Sequence, residues 1–461
     1  MPPSSDAIAD CVLSAFKALP AKCKPRGSAD GRREWVPLAG VVLSRGSTWT
    51  HSVVKCSADV PAGRSDSEAN EPGFDLTCAA LATGMKCLPH AKLPLAHGNV
   101  LHDWHAEILA IRAFNRWLLD ECEELVRKGR EAESRWVAWR QEFDGEKSRS
   151  ARATTCEHVT RSEMARDQDS DADRDPGEDF QGQPFSLRKD VRIHLYISDA
   201  PCGDASMELT MAAQPDSTPW TSQPADGDML GRGNFDRLGV VRRKPARPDA
   251  PVTLSKSCSD KLAMKQCTGL LSGPVSLLIH PGDVYLETLV LPEERYASAA
   301  VERAFGRNGR MMEVENIGQQ WHGGYAFKAF TVCTTSRLFE YANAADATES
   351  QPGVVIGSNI STLSTLSGRQ EVVINGVLQG RKQTDPKGAS CVSRRKMWEA
   401  VCRVEDAMDP AAFARASDET YAEFKASSRL RSREQVKRDV KAVALRGWKA
   451  NAGDAEWRLS S

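Results

Sequence analysis

Three short segments lie far apart along this chain and must meet in space if their chemistry is to be used. That requirement limits the possible folds more than any other feature. The segments are Asp103-Trp104-His105-Ala106-Glu107, Ala200-Pro201-Cys202-Gly203-Asp204 and Ser257-Cys258-Ser259-Asp260-Lys261. Between them they offer an imidazole, two thiols and a free carboxylate. A catalytic zinc site needs three protein ligands, one position left open for water and a nearby base. No segment carries that reading alone. The set, in this order, points to hydrolytic deamination of a nucleobase.

The chain has 461 residues. That allows about three average domains, or one large enzyme domain with insertions. Because the three segments straddle the least apolar stretches, the second reading is preferred. The hydrophobic content of 41% and charged content of 27% are those of a soluble globular protein. The formal charge is −1, so no global basic field exists and any nucleic-acid contact must use local Lys/Arg patches. The 13 cysteines are odd in number and lack the spacing of a disulfide scaffold, which favours a reducing compartment. Residues 1–10 show no signal peptide, and no apolar run approaches the length of a membrane span. The expectation is a soluble protein of the cytoplasm or nucleus, with no membrane and no obligate protein partner.

Hydrophobic periodicity predicts an amphipathic helix over 6–19, with Ile8, Val12, Leu13, Phe16 and Leu19 on one stripe. Residues 35–45 and 50–56 read as paired strands, 57–73 as a loop and 76–88 as a further strand. A helix is expected over Leu101–Leu119, with Asp103 as its N-cap. The stretches 144–188 and 213–236 are poor in large apolar residues and read as low-complexity insertions. Between them lie a strand over Val191–Ser198, the turn carrying Cys202, and a helix near 204–212. A helix near 259–267 follows Cys258. Strands are expected at 274–280, 283–291, 325–332, 353–357 and 370–379, the last with the hairpin signal Asn375-Gly376. Two Lys/Arg-rich helices, 391–404 and 418–447, close the pattern. The division is a lead-in over 1–34, one α/β catalytic domain over 35–450 and a tail over 451–461.

For deamination, zinc lowers the pKa of water towards neutrality, and a carboxylate that is not a ligand moves the protons. His105 is the candidate imidazole ligand and Glu107 the shuttle. Residues two apart on a helix do not share a face, so the ion must sit over the helix N-terminus for both to reach it. Cys202 ends a strand, where the amides of the following helix favour a thiolate. The commonest deaminase signature continues P-C-x-x-C, but Ala205 stands at that place. The third ligand must come from elsewhere, and Cys258 at another helix start is the best candidate. His102 and Cys267 are rivals on spacing alone. A lone His at a helix start is more often a cap or core residue, and free cysteines are most often small buried hydrophobes.

The ordered set His105-Ala106-Glu107, Tyr196-Ile197-Ser198-x-x-Pro201-Cys202-Gly203-Asp204 and Ser257-Cys258-Ser259-Asp260-Lys261 resembles the adenosine deaminases that act on RNA. Leu38-Ala39-Gly40-Val41-Val42-Leu43 and Thr83-Gly84-Met85-Lys86-Cys87 match as well, so the resemblance covers roughly residues 35–450. It implies a cytidine-deaminase-like mixed sheet sandwiched by helices, with an enlarged C-terminal half enclosing a polyanion. It implies Zn2+ on His105, Cys202 and Cys258, and Glu107 as proton carrier. It also implies a buried inositol hexakisphosphate. Positions matching its binding set are Lys86, Asp103, Ile108, Arg112, Lys244, Lys261, Lys396, Tyr421, Lys425, Lys437 and Trp448. Two departures from the messenger-RNA branch stand out. Ile111 replaces an arginine before Arg112, and Met264-Lys265 replace an Arg-Trp pair.

With only about 35 residues before the domain, no room is seen for separate double-stranded-RNA-binding domains. The resemblance is therefore to the branch acting on tRNA, at adenosine 37 beside the anticodon of alanine tRNA. Messenger-RNA editing and a non-catalytic RNA-binding relative are the alternatives; an intact Glu107 speaks against the latter. Candidate RNA-contacting segments are Arg242-Arg243-Lys244 with Arg247, Arg394-Arg395-Lys396, and Arg429 to Lys441. An anticodon loop would present an adenine without unpairing a helix.

Overall fold

The computed structural model describes residues 3–26, 33–46, 75–140, 182–213, 237–244, 250–343, 355–408 and 419–460. Among these, twelve strands form. They are β1 (Arg33–Trp35), β2 (Leu38–Arg45), β3 (Asp75–Thr83), β4 (Val137–Trp139), β5 (Phe185–Leu187), β6 (Val191–Ile197), β7 (Leu286–Pro292), β8 (Thr331–Thr335), β9 (Val355–Gly357), β10 (Ser361–Thr365), β11 (Gln370–Ile374) and β12 (Val377–Leu378). Eight of them make one mixed sheet in the order β12-β11-β10-β3-β2-β6-β7-β8. β6, β7 and β8 are parallel; every other pair in this sheet is antiparallel. The expected α/β class, a mixed sheet with helices on it, is what the chain adopts.

The helices are α1 (Ser5–Lys17), α2 (Ala106–Lys128), α3 (Met207–Ala212), α4 (Cys258–Thr268), α5 (Ser298–Phe305), α6 (Met312–Gly318), α7 (Arg394–Met408), α8 (Tyr421–Ala426) and α9 (Arg431–Val443). α1 covers one face of the sheet. Its Ile8, Val12 and Phe16 pack with Leu38, Val42, Leu81, Tyr196 and Val290. α2 covers the other face, packing on Ala39, Val41, Leu43 and Ala80. With both faces covered, β2 is buried at seven consecutive positions, which is why it reads as an unbroken apolar run. Gly40 allows the close approach of α1, because a Cβ there would lie 2.4 Å from a Val12 methyl.

β3 and β6 both run antiparallel to β2, so Thr83 and Ile197 finish at the same edge of the sheet. The segments bearing His105 and Cys202 leave from that edge. The Ala106 amide donates to the Gly84 carbonyl (2.8 Å), docking the start of α2 beside the end of β3.

Several expectations need correction. α2 begins at Ala106, not Leu101, and runs on to Lys128. Segment 274–280 is a 3-10 turn at Val275–Leu277, with only Ile279 bridging Phe185. The strand expected over 325–332 lies at Thr331–Thr335. The last helix is broken into α8, a 3-10 turn at Ser428–Leu430, and α9. Phe185–Leu187, placed in the first insertion, pairs with β4. Residues 451–460 are packed, with Asp454 and Trp457 buried. The strand at 50–56, the loop at 57–73 and most of both insertions lie outside the described residues. Among the described residues, no helix is long and apolar enough to cross a membrane.

Gly40→Ala should drive a methyl into Val12 and lower stability by about 1–3 kcal/mol, the usual cost of overpacking. Thermal unfolding monitors it. Val12→Ala in the same chain should recover part of the loss, since it removes the atoms that the new methyl meets.

Candidate metal centre and cationic cavity

His105 is the extended residue just before α2 (φ −62°, ψ 144°), and Glu107 sits in the first helical turn. This placement resolves the two-residue spacing: one side chain leaves the extended lead-in and the other the helix start. Asp103 is not the cap. Its Oδ1 accepts the His105 amide (3.0 Å), while Oδ2 accepts Lys244 Nζ (2.7 Å), Ser255 Oγ (2.9 Å) and Lys261 Nζ. Burial opposes its ionisation, but Lys244 and Lys261 outweigh it and hold the carboxyl well below its ordinary range.

Cys202 follows β6 on a turn whose next residue, Gly203, has φ +102°. A Cβ at Gly203 would lie 2.3 Å from Ser257 Oγ, so glycine lets the two cysteine loops touch. Cys258 is the first residue of α4, capped by Ser257, whose side chain accepts the Asp260 amide. The Cys258 amide donates to Cys202 Sγ (3.3 Å), and Lys244 Nζ donates to Cys258 Sγ (3.2 Å). Cys202 Sγ lies 3.9 Å from His105 Nδ1. One donor atom each from His105, Cys202 and Cys258 fall within 4.8 Å of one another.

In this pair Cys202 carries the negative charge. The hydrogen bond from Cys258 holds its thiol well below the usual range, helped by Lys244 and His105 against burial. Burial and that neighbouring charge push Cys258 up. One nitrogen and two sulfurs, with ammonium and amide donors aimed at the sulfurs, are a donor set suited to zinc. The two rivals point elsewhere. His102 bonds to Asp454, and Cys267 is a buried thiol facing the Ala263 carbonyl.

Both cysteines are followed two residues later by a fully buried aspartate, and both aspartates are held from one segment. Arg303, on α5, donates to Asp204 Oδ1 (3.0 Å) and to the Asp204 carbonyl (2.8 Å). Arg310 donates to Asp260 Oδ1 (2.6 Å). Ser259 Oγ donates to the carbonyls of Pro201 and Cys202 (3.0 Å each), stapling the two loops. Glu107 is 7% exposed, and burial raises its carboxyl above the ordinary range. A carboxyl so placed holds a proton more readily than an exposed one, which suits it to proton transfer.

Beyond the N-terminal turn of α2 opens a cavity of about 300 Å³. Of the residues matched to a polyanion site, Ile108, Arg112, Lys261, Tyr421, Lys437 and Trp448 line it. So do Lys265, Arg394, Arg433 and Asn115, which were not singled out for it. No aspartate or glutamate is among the lining residues. Burial brings Arg112 down to about 10, and burial with the neighbouring Lys425 and Arg433 brings Lys437 down to about 8, despite Glu434. Burial, then Arg433, Lys437 and Arg112, hold Lys265 well below the lysine range.

Five matched positions do not line the cavity. Asp103 and Lys244 stand behind Lys261, joined to it through the Asp103 carboxylate. Lys425 is exposed on α8, and its ammonium feels Arg394, Glu434 and Arg433. Lys396 pairs with Glu399 on an exposed face (2.7 Å), and Lys86 bonds to Asn359. The segments picked for RNA contact are divided, with Arg431 and Arg438 exposed and Arg395, Lys396, Arg429 and Lys441 half-buried. Arg242, Arg243 and Lys244 are buried, Arg433 donates to the Thr268 and Leu271 carbonyls, and Arg247 lies outside the described residues.

The adenosine-deaminase (editase) domain, as a family model, matches residues 80–150 and 175–452. A tRNA-specific adenosine deaminase 1 of Schizosaccharomyces pombe is 32% identical over 454 residues, 97% of this chain and 95% of that protein. The protein of the same name from Saccharomyces cerevisiae is 26% identical over 92% of this chain and 88% of its own length. A double-stranded RNA-specific editase Adar of Drosophila melanogaster is 23% identical over 47% of this chain and 28% of its own. With a His/Cys/Cys group that could hold a metal ion, a buried carboxylate beside it and a family match across most of its length, the chain belongs to the adenosine-deaminase (editase) family.

Proposed function

We propose that this chain converts adenosine to inosine in tRNA by zinc-dependent hydrolysis, at adenosine 37 beside the anticodon of alanine tRNA. The single observation that carries the reading is the convergence of His105, Cys202 and Cys258 beside the buried Glu107. The extent of similarity to proteins named tRNA-specific adenosine deaminase, across nearly the whole chain, favours tRNA over double-stranded RNA.

His105, Cys202 and Cys258 would hold the zinc. When bound there, zinc supplies the Lewis acidity that makes water a nucleophile near neutral pH. Hydrolysis replaces the amino group at C6 of adenine by oxygen and releases ammonia. Glu107 takes the proton lost by the attacking water, gives it to N1 of the ring and then serves the departing amine. Its raised carboxyl suits both halves of that duty. Lys244, held between Asp103 and Cys258, keeps positive charge against the sulfurs.

The cationic cavity is assigned to inositol hexakisphosphate. Six cations, Arg112, Lys261, Lys265, Arg394, Arg433 and Lys437, line it without a carboxylate. Lys261, Lys437 and Arg394 have carboxylate partners outside the lining, but gathering six half-buried or buried cations about one cavity is costly unless an anion enters it. A many-phosphate ligand meets that need, and guanidinium groups bind its oxygens in pairs.

Glu107→Ala should abolish inosine formation in an alanine tRNA transcript while leaving about one zinc per chain. A drop of about 10²–10⁴-fold is the usual size for a lost acid–base group. Retained turnover would remove the shuttle, and product at other RNA sites only would favour messenger-RNA editing. A zinc-loaded wild type that forms no inosine in any RNA would favour the non-catalytic relative.

Cys258→Ala should lose the metal and Cys267→Ala should keep it, read by elemental analysis after gel filtration. The reverse result would reassign the third ligand.

Denatured protein should release inositol hexakisphosphate, detected by mass spectrometry. Protein refolded without it should show a particular pH response. In the empty cavity Lys437 has a pKa of about 8, against about 10.4 in an unfolded chain. The unfolded state then binds more protons between those values, so stability should rise with pH from about 8 to about 10. The loaded protein should not show that rise. Its absence from the empty protein too would mean that Lys437 is not buried among cations.

A further inference from the structure

The C-terminal segment Asn451–Leu459 is tied at several points to the lead-in of α2. The Asp454 side chain is buried. Its Oδ1 accepts the Gly98 amide (2.7 Å) and its Oδ2 accepts His102 Nε2 (2.7 Å). Asn451 Nδ2 donates to His102 Nδ1 (3.1 Å). Burial and the charges of Arg394 and Arg112 bring His102 down to about 4, so the ring is neutral. A neutral imidazole has one donor and one acceptor nitrogen. The segment satisfies both, which sets the tautomer and the plane of the ring.

The turn that presents these atoms is strained. His97 (φ +45°) and Gly98 (φ +73°) are consecutive left-handed residues, and the former is not a glycine. A Cβ on Gly98 would lie 2.5 Å from the Trp457 ring. The same segment also grips the cavity wall. Trp457 stacks on Tyr421, with centroids 4.9 Å apart and planes at 12°. Arg394 Nη1 donates to the Asp454 carbonyl (2.6 Å). The amides of Tyr421 and Ala422 donate to the carbonyls of Trp457 and Ala455. Arg394 and Tyr421 line the cationic cavity, and His102 stands three residues before the ligand His105.

We infer that residues 451–459 form a positioning strap, with Asp454 as its central residue, holding the His97–His105 lead-in at the angle that places His105 and fastening it to the cavity wall. The consequence for catalysis rests on the zinc deaminase reading above; the placement of the lead-in does not. In this role the strap acts through the placement of His105 and not by contact with the reacting atoms. Its loss should therefore lower turnover and leave RNA binding alone.

Asp454→Ala removes both anchors. Asp454→Asn keeps an amide oxygen that can still accept from Gly98 or His102. In hydrogen exchange, Asp454→Ala should speed exchange at 98–106 by about tenfold or more, while 38–45 in the central sheet stays protected. Asp454→Asn should recover most of the protection. Zinc loss to a chelator should accelerate in the same order. In tRNA deamination kcat should fall by about tenfold to a hundredfold, the size expected for a displaced group near the chemistry, with KM unchanged. Gly98→Ala should reproduce the pattern by pushing Trp457 off. Unchanged exchange at 98–106 in both Asp454→Ala and Gly98→Ala would overturn the strap. So would a uniform loss of protection that includes 38–45, since that is general destabilisation. Because exchange and zinc loss are read without RNA, a wild type that made no inosine would count against the deaminase reading and not against the strap.

Discussion

The Asp103 carboxylate is the interaction on which the rest of the site depends. One oxygen fixes the His105 amide, and the other gathers Lys244, Lys261 and Ser255. Lys244 goes on to Cys258, and Lys261 reaches the cationic cavity. A buried carboxylate is tolerable only when its charge is matched, and two ammonium groups match it with one to spare. The surplus positive charge has two outlets, the sulfurs of the cysteine pair on one side and the cavity on the other. The metal centre and the cavity are thus two ends of one interior charge balance.

The cysteine loops are located by an equally economical device. Each thiol stands two residues before a fully buried aspartate, and Arg303 and Arg310 hold those aspartates from adjoining turns. The Arg310 amide donates to the Arg303 carbonyl, so the two guanidinium groups are fixed relative to each other. Ser259 closes the arrangement by bonding to both carbonyls at Pro201–Cys202. Distant parts of the sequence are thereby placed with the small tolerance that a metal site demands.

Much of this was legible in residue order. The strand before Cys202, the helix begun by Cys258 and the Asn375-Gly376 hairpin all follow from local pattern, because each is decided by near neighbours. α2 was placed five residues early because Leu101 and Trp104 are apolar and buried although they precede the helix. Periodicity sees burial, not backbone angles. β10 escaped notice altogether. Its sequence Ser-Thr-Leu-Ser-Thr carries no apolar stripe, yet it lies inside the sheet with its polar groups paired, Thr362 Oγ1 to the Cys23 carbonyl (2.8 Å) and the Thr362 amide to Thr83 Oγ1 (3.0 Å). The helix expected over 418–447 breaks at Ser427, which is extended (φ −63°, ψ 154°), a change of backbone angle that periodicity does not report.

The basic segments were the least legible part. A run such as Arg242-Arg243-Lys244 is ordinarily a solvated face, and in a chain of net charge −1 it invites assignment to an RNA surface. These three residues are buried instead, and Lys265, Arg394 and Arg433 join the cavity wall. Sequence alone does not distinguish a cation facing water from one facing an interior partner, because the partner lies far along the chain, as Asp103 does from Lys244. Burial removes Arg242, Arg243, Lys244 and Arg433 from the set that can touch the substrate. Arg431 and Arg438, which are exposed, remain in that set.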